Sequence, residues 1–213
     1  MSARTGLLSW LALCLVLALP AAALPPIALD LPSAWPVAMQ SLVLHPSQGC
    51  QQSPASWWAT AWVHGSEPHL WRNLAGVALI AAMGWTARVG PATTLAWLLA
   101  WPLTHMGMLW RPELTSYVGL SGVLHAGAAI VALHQIITPA TPRARWPGWA
   151  LLLGLCTKVV MENPWGAVLI LSSASAIKVA PWAHFSGVLA GLVSGGLVLI
   201  GIKHFTPNSS VNK

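Results

Sequence analysis

Long apolar runs, broken by short stretches rich in proline and polar residues, set the pattern of this chain. A membrane-crossing helix needs roughly 20 apolar residues, within a range of about 17–25. Six stretches approach that length, at about 6–24, 69–87, 91–110, 121–137, 149–162 and 181–202. The breaks between them carry turn chemistry. Residues 25–60 hold Pro25, Pro26, Pro32, Pro36, Pro46 and Pro54, and Arg88-Val89-Gly90-Pro91 reads as a tight turn. Residues 138–147 carry Pro139, Pro142, Arg143 and Arg145, and residues 163–180 carry Pro164, Ser172, Ser173 and Ser175. The pattern predicts an all-α fold, a polytopic membrane bundle of six transmembrane helices in one domain over 1–213. Within it, 25–60 is an extracytoplasmic loop, 61–202 the working core and 203–213 a cytoplasmic tail.

Composition strengthens the membrane reading. Only 14 residues, 7% of the chain, are Asp, Glu, Lys or Arg, and the mean hydropathy is +0.67. A soluble domain carries about 25% charged residues, so lipid is the natural solvent for this surface. The net charge of +6 comes from ten basic residues scattered singly. No basic helix or aromatic-interleaved patch forms, so nucleic acid is not expected as a partner. Alternating the spans puts Arg4, Arg88, Arg143, Arg145, Lys203 and Lys213 on one side, with Arg72, Arg111 and Lys178 at or near the other. The side richer in Lys and Arg faces the cytoplasm, which places both termini inside. Many of the 14 tryptophans, among them Trp57, Trp58, Trp62, Trp71, Trp110, Trp165 and Trp182, fall near the ends of apolar runs, where amphipathic rings favour the membrane interface. Cys14, Cys50 and Cys156 show no Cys-x-x-Cys spacing and suggest neither a disulfide nor a metal site. Arg4, an apolar core and Ala21-Ala22-Ala23 also fit a secretory signal peptide. A retained helix over 1–24 is favoured because it gives an even span count.

Polar groups inside such runs are expensive and are functional-site hypotheses by default. Gly119-Leu120-Ser121-Gly122 suggests a tight loop feeding the start of the fourth span, where unpaired N–H groups and the positive end of the helix dipole gather. Those donors suit an oxyanion, although a small serine packed between helices gives the same local pattern. At the start of the sixth span, His184 would lie at the same depth and side as Ser121, as a general base would. Gly187, Gly191 and Gly195 form a smooth stripe, expected to pack on the fourth span and bring His184 to Ser121. In the second span His69 and Asn73 share one helix face, and both can donate to a developing oxyanion. His64 reads as a brace for the entry to that helix. Lys158 and Glu162 form an i, i+4 pair near the end of the fifth span, a pattern usually structural, with a supporting role at the site, in gating or substrate contact, as the alternative. Asp30, Glu67 and Glu113 are badly placed to complete a triad, so the expected mechanism is a Ser–His dyad. His125, one turn after Ser121, is placed to pack against or orient His184, and is a fallback base, although sharing a helix with Ser121 makes good geometry harder. His105, His134 and His204 carry no functional signal.

Three motifs in this order resemble the rhomboid intramembrane serine proteases: His64, His69 and Asn73; then Gly119-Leu-Ser121-Gly122; then Ala183-His184-x-x-Gly187. The resemblance covers about residues 55–202. It implies Ser121 as nucleophile, His184 as base, and His69 and Asn73 as oxyanion-hole donors beside the Ser121 N–H. It also implies no cofactor and no metal. His125 stands where many rhomboids carry a tyrosine that stacks on the catalytic histidine. Pro112-Glu113-Leu114 ahead of Gly119–His125, with Lys158-x-x-x-Glu162, resembles the rhombosortase subfamily. That subfamily implies a bacterial inner-membrane enzyme whose active site faces the periplasm. Its implied substrates are exported proteins with a C-terminal Gly-Gly motif, an apolar helix and a basic tail. Two other readings stand beside this one: a catalytically silent rhomboid-fold protein that binds membrane clients, and a metal transporter, suggested only by the eight histidines.

Overall fold

The computed structural model describes residues 3–29, 31–139, 141–171 and 177–205. Asp30, Ser172, Ser173, Ser175 and Lys213 lie outside the described residues. The fold is mostly helical. Six helices correspond to the apolar runs: α1 (Ala3–Ala23), α4 (Glu67–Thr86), α5 (Pro91–Met106), α6 (Ser121–Ile137), α7 (Trp146–Met161) and α8 (Pro181–Phe205). Two short helices, α2 (Val37–Gln40) and α3 (Ser56–Ala59), lie in the segment between α1 and α4. By length and composition, two of the described helices can cross a membrane, over Thr5–Ala23 and Pro181–Gly201, and Ser121–Ile137 is a shorter apolar helix. The reasons are local. The helix α5 gives way at Met106 to a 3-10 turn, Gly107–Trp110, instead of running on to Trp110. The helix α7 has 16 residues and carries Lys158, and the first turns of α4 hold Glu67, His69, Arg72 and Asn73.

The main core sits where α1, α4, α5 and α6 meet. Trp10 and Leu17 of α1, Val77 and Ile80 of α4, Trp97 and Ala100 of α5, and Val123 and Ile130 of α6 are all buried there. Trp10 and Trp97 pack with ring centroids 4.5 Å apart and planes tilted by 33°, and each finds an acceptor for its indole N–H, Ile80 O at 3.1 Å and Val123 O at 2.8 Å. A buried indole N–H needs such a partner. Trp71, Trp110 and Trp165 are exposed, whereas Trp182 is buried and donates to Gly107 O.

The segment 25–60 is not a plain loop. Ile27, Trp35, Met39 and Val43 bury themselves against Val63 and Val118. Prolines prevent one long helix here, so short turns stack their apolar side chains instead. This segment also props up the approach to α6. Leu44 and Tyr117 exchange backbone hydrogen bonds, Thr60 Oγ1 donates to Tyr117 O at 2.6 Å, and Gly119 N donates to Thr60 O at 2.9 Å. Within 163–180, read from sequence as a loop, Ile170–Leu171 (β1) pairs antiparallel with Lys178–Val179 (β2).

Candidate active site

The site begins with α6. Its N-cap, Leu120, makes no side-chain capping bond, so the first N–H groups of the helix are left for another acceptor. Gly119 just before it has φ 117°, and a Cβ there would lie 2.6 Å from His69 Cε1. Glycine is required on both counts.

The helix α8 lies against α6 with backbone nearly touching backbone. A Cβ on Gly187 would fall 2.8 Å from Gly122 C, and one on Gly191 would fall 2.9 Å from Ala126 Cα. Further along, Gly195 faces the side chains of Leu133 and Ile130, which a Cβ would meet at 3.0 and 3.4 Å. This is the close approach expected of the Gly187–Gly191–Gly195 stripe. It sets His184 Nε2 3.1 Å from Ser121 Oγ, across 63 residues of sequence.

The imidazole of His125 stacks on that of His184, with centroids 4.0 Å apart and planes 14° apart. Around this pair runs a closed set of hydrogen bonds. His184 Nδ1 lies 2.5 Å from Glu162 Oε2, and the other carboxylate oxygen accepts from Lys158 Nζ at 2.6 Å. Lys158 Nζ also lies 3.0 Å from His125 Nε2, and His125 Nδ1 lies 2.7 Å from Ser121 O. The partners dictate the tautomers. An ammonium only donates, so His125 Nε2 accepts and its Nδ1–H donates to the Ser121 carbonyl. The Glu162 carboxylate only accepts, so His184 carries its proton on Nδ1. The lone pair on His184 Nε2 is then turned to the Ser121 hydroxyl. The expectation that no acid stands behind the histidine is thereby corrected, because α7 delivers Glu162 there.

His69 and Asn73, on α4, reach the same place from the opposite wall. Ser66 caps α4 by accepting from His69 N at 3.3 Å, which fixes the first turn. Asn73 is buried, and its side-chain N–H group has no hydrogen-bond partner among the described residues. An orphaned buried donor is costly and marks a place where an acceptor is expected. His64 braces this wall as expected: its ring packs edge-on against His69 at 5.0 Å, its Nδ1 meets Trp62 O, and its carbonyl accepts from Ile27 N. Burial holds the His64 imidazole down at about 4, opposed by its bond to the Trp62 backbone, so the ring is neutral at pH 7.

Ser121, His184, His125, His69, Asn73 and Lys158 all line one cavity of about 710 Å³. From Ser121 it continues as an apolar groove between α4 and α7, over Leu79, Ile80, Leu124, Ala128 and Leu155. Arg72 and Lys178 stand at its polar end. Tyr117, the only tyrosine, also lines it, and sequence reasoning passed it by. Its buried hydroxyl donates to Gly119 O and has the Ser121 side chain and Gly122 backbone as further neighbours; burial pushes its pKa up to about 12 against those bonds. His105 and His134 lie outside the cavity, bonded to Trp57 O and to Thr93 and Thr138. Among the described residues no group of three or more His, Cys, Asp or Glu is arranged to hold a metal ion.

No family model, curated protein or solved structure matches this chain.

Proposed function

We propose that this chain is a rhomboid-type intramembrane serine endopeptidase of the rhombosortase kind, with six membrane spans. The observation that carries the reading is the 3.1 Å contact between Ser121 Oγ and His184 Nε2, made between two helices whose glycines let their backbones approach this closely. Outward-facing Leu8, Leu19, Leu153 and Leu197 are each more than 60% exposed. Such outer faces suit lipid and would associate in water. In this reading the protein sits in a bacterial inner membrane with both ends cytoplasmic and the cavity open toward the periplasm.

Each chemical step has a residue suited to it. Ser121 Oγ adds to the scissile carbonyl carbon while its proton passes to His184 Nε2. The new oxyanion meets the Ser121 N–H and the side chains of His69 and Asn73, which line the same cavity as Ser121. His184 then gives its proton to the departing amine as the C–N bond breaks, leaving an ester on Ser121. Water, or another nucleophile, adds to that ester after His184 takes its proton, and Ser121 leaves with the proton restored. A substrate helix hides its carbonyls, so a locally unwound segment is needed. A Gly-Gly pair lowers the cost of unwinding, since glycine is about 1 kcal/mol less favourable than alanine in a helix. The apolar groove between α4 and α7 offers a path for the rest of such a helix.

The test is co-expression in bacterial membranes with an exported reporter ending in Gly-Gly, an apolar helix and a basic tail. Wild type is expected to shorten and release the reporter, and Ser121→Ala and His184→Ala, at equal expression, are expected not to. Equal cleavage by Ser121→Ala would sink the mechanism. A wild type that binds the reporter without cutting it would favour the silent client-binding alternative.

A further inference from the structure

We propose that Glu162, held by Lys158, is the positioning acid for His184, so that the nucleophile is served by a Ser121–His184–Glu162 array and not by a dyad. This rests on the reading of Ser121 and His184 given above. An i, i+4 Lys–Glu pair at a helix end contributes little by itself and is usually left with its other contacts in water. This pair is different in what its free atoms reach. Glu162 spends one carboxylate oxygen on Lys158 and the other on His184 Nδ1 at 2.5 Å. Lys158, besides Glu162, reaches His125 Nε2 at 3.0 Å, and His125 lies flat on His184 and ties back to the Ser121 carbonyl. Every member of the loop therefore bears on the imidazole or on the nucleophile's own backbone.

The carboxylate has two consequences for catalysis. It holds the His184 proton on Nδ1, which leaves Nε2 free to take the Ser121 proton. It also places a negative charge beside the ring at the moment the ring becomes imidazolium. His184 is only 6% exposed, so water is a poor substitute for that counter-charge. Lys158 offsets the carboxylate before reaction and restrains its rotamer. The backbone after Glu162 is also clamped from another element: Arg111 donates to Pro164 O at 2.7 Å and to Gly166 O at 2.8 Å, and Asn163 turns the chain with φ 51°. Glu162 is thus fixed on both sides of its Cα.

The experiment measures the labelling rate of the purified full-length protein by a fluorophosphonate serine probe, with kcat and KM for reporter cleavage beside it. The variants are Ser121→Ala, Glu162→Gln, Glu162→Ala, Glu162→Asp and Lys158→Met, with thermal melting to verify folding. If Glu162 only packs, the isosteric Glu162→Gln should stay near wild type and exceed Glu162→Ala. If it orients the ring, an amide N–H aimed at Nδ1 favours the wrong tautomer. Glu162→Gln should then lose roughly 10²–10⁴-fold in labelling and in kcat, with KM little changed. It should do no better than Glu162→Ala, Glu162→Asp should recover part of the rate, and Lys158→Met should lose less than Glu162→Gln. Labelling of Glu162→Gln within threefold of wild type, when wild type labels and Ser121→Ala does not, overturns this inference alone. Labelling of wild type no faster than Ser121→Ala overturns the serine-peptidase reading and this one with it.

Discussion

The contact between α6 and α8 can be tested with a single methyl group. Substituting Gly187→Ala places a Cβ 2.8 Å from Gly122 C, and nearer still to the Gly122 carbonyl oxygen. Carbon atoms in ordinary contact lie about 3.5–4.0 Å apart. Both sides of the clash are helical backbone, so neither can rotate away, and the helices must part by about 1 Å. His184 sits one turn before Gly187 and rides on the same helix. Its 3.1 Å reach to Ser121 then opens beyond hydrogen-bond length. Misplacement of about 1 Å costs on the order of 10²-fold in rate, and the overpacking itself costs about 1–3 kcal/mol of stability. The control is Gly196→Ala on the same helix, where a Cβ meets nothing within 4 Å. Reporter cleavage and probe labelling are compared at matched expression, with melting in detergent to separate rate from folding. Gly187→Ala is expected to be folded and slower by about two orders of magnitude, and Gly196→Ala to match wild type. Wild-type rates in Gly187→Ala would refute the argument that close glycine packing sets the catalytic distance.

Asn73→Ala removes an unpaired buried donor, so it is expected to lower kcat by about 10²–10³-fold while leaving the melting temperature unchanged or slightly higher; a lower melting temperature with unchanged kcat would contradict the oxyanion role. The neutral, buried His64 makes stability depend on pH. Its value of about 4 in the fold, against an ordinary 6.5, means the unfolded chain binds a proton that the folded chain refuses between those limits. Its contribution is fully present above pH 6.5 and falls by about 3 kcal/mol as pH drops through about 4. Melting of wild type should therefore decline more steeply than that of His64→Leu between pH 6.5 and 4, and parallel curves would contradict it.

Much of this site is visible in the sequence because its signals are local. The start of α6 at Ser121 follows from glycines on both sides, and the fit of α8 to α6 follows from glycines four residues apart. The spacing of His69 and Asn73 puts both on one wall of α4. The pairing of Glu162 with Lys158 is legible in the sequence, but its contact with His184 is not, for a physical reason. Lys158 four residues earlier supplies a complete local explanation for it, and nothing local reveals that α7 turns this carboxylate toward an imidazole 22 residues later. Sequence neighbourhood is all that the chain offers for its four acidic residues, whereas the distance that matters is set by packing. Tyr117 escaped for the same reason: its place depends on Leu44 and Thr60, which come from a proline-broken segment with no helical period. That segment also hid its own core of Trp35, Met39 and Val43. The span count rests on apolar length, which is a weak guide for α5 and α7 at 16 residues each, where a 3-10 turn or a charged residue ends the run.

The central claim is that Ser121 is a nucleophile activated by His184. The most direct measurement is the site of fluorophosphonate attachment in the purified protein, read by intact mass and by sequencing the modified peptide. The account expects one adduct, on Ser121, and none in His184→Ala under the same conditions. An adduct on another serine, or equal modification of Ser121 in His184→Ala, would contradict it.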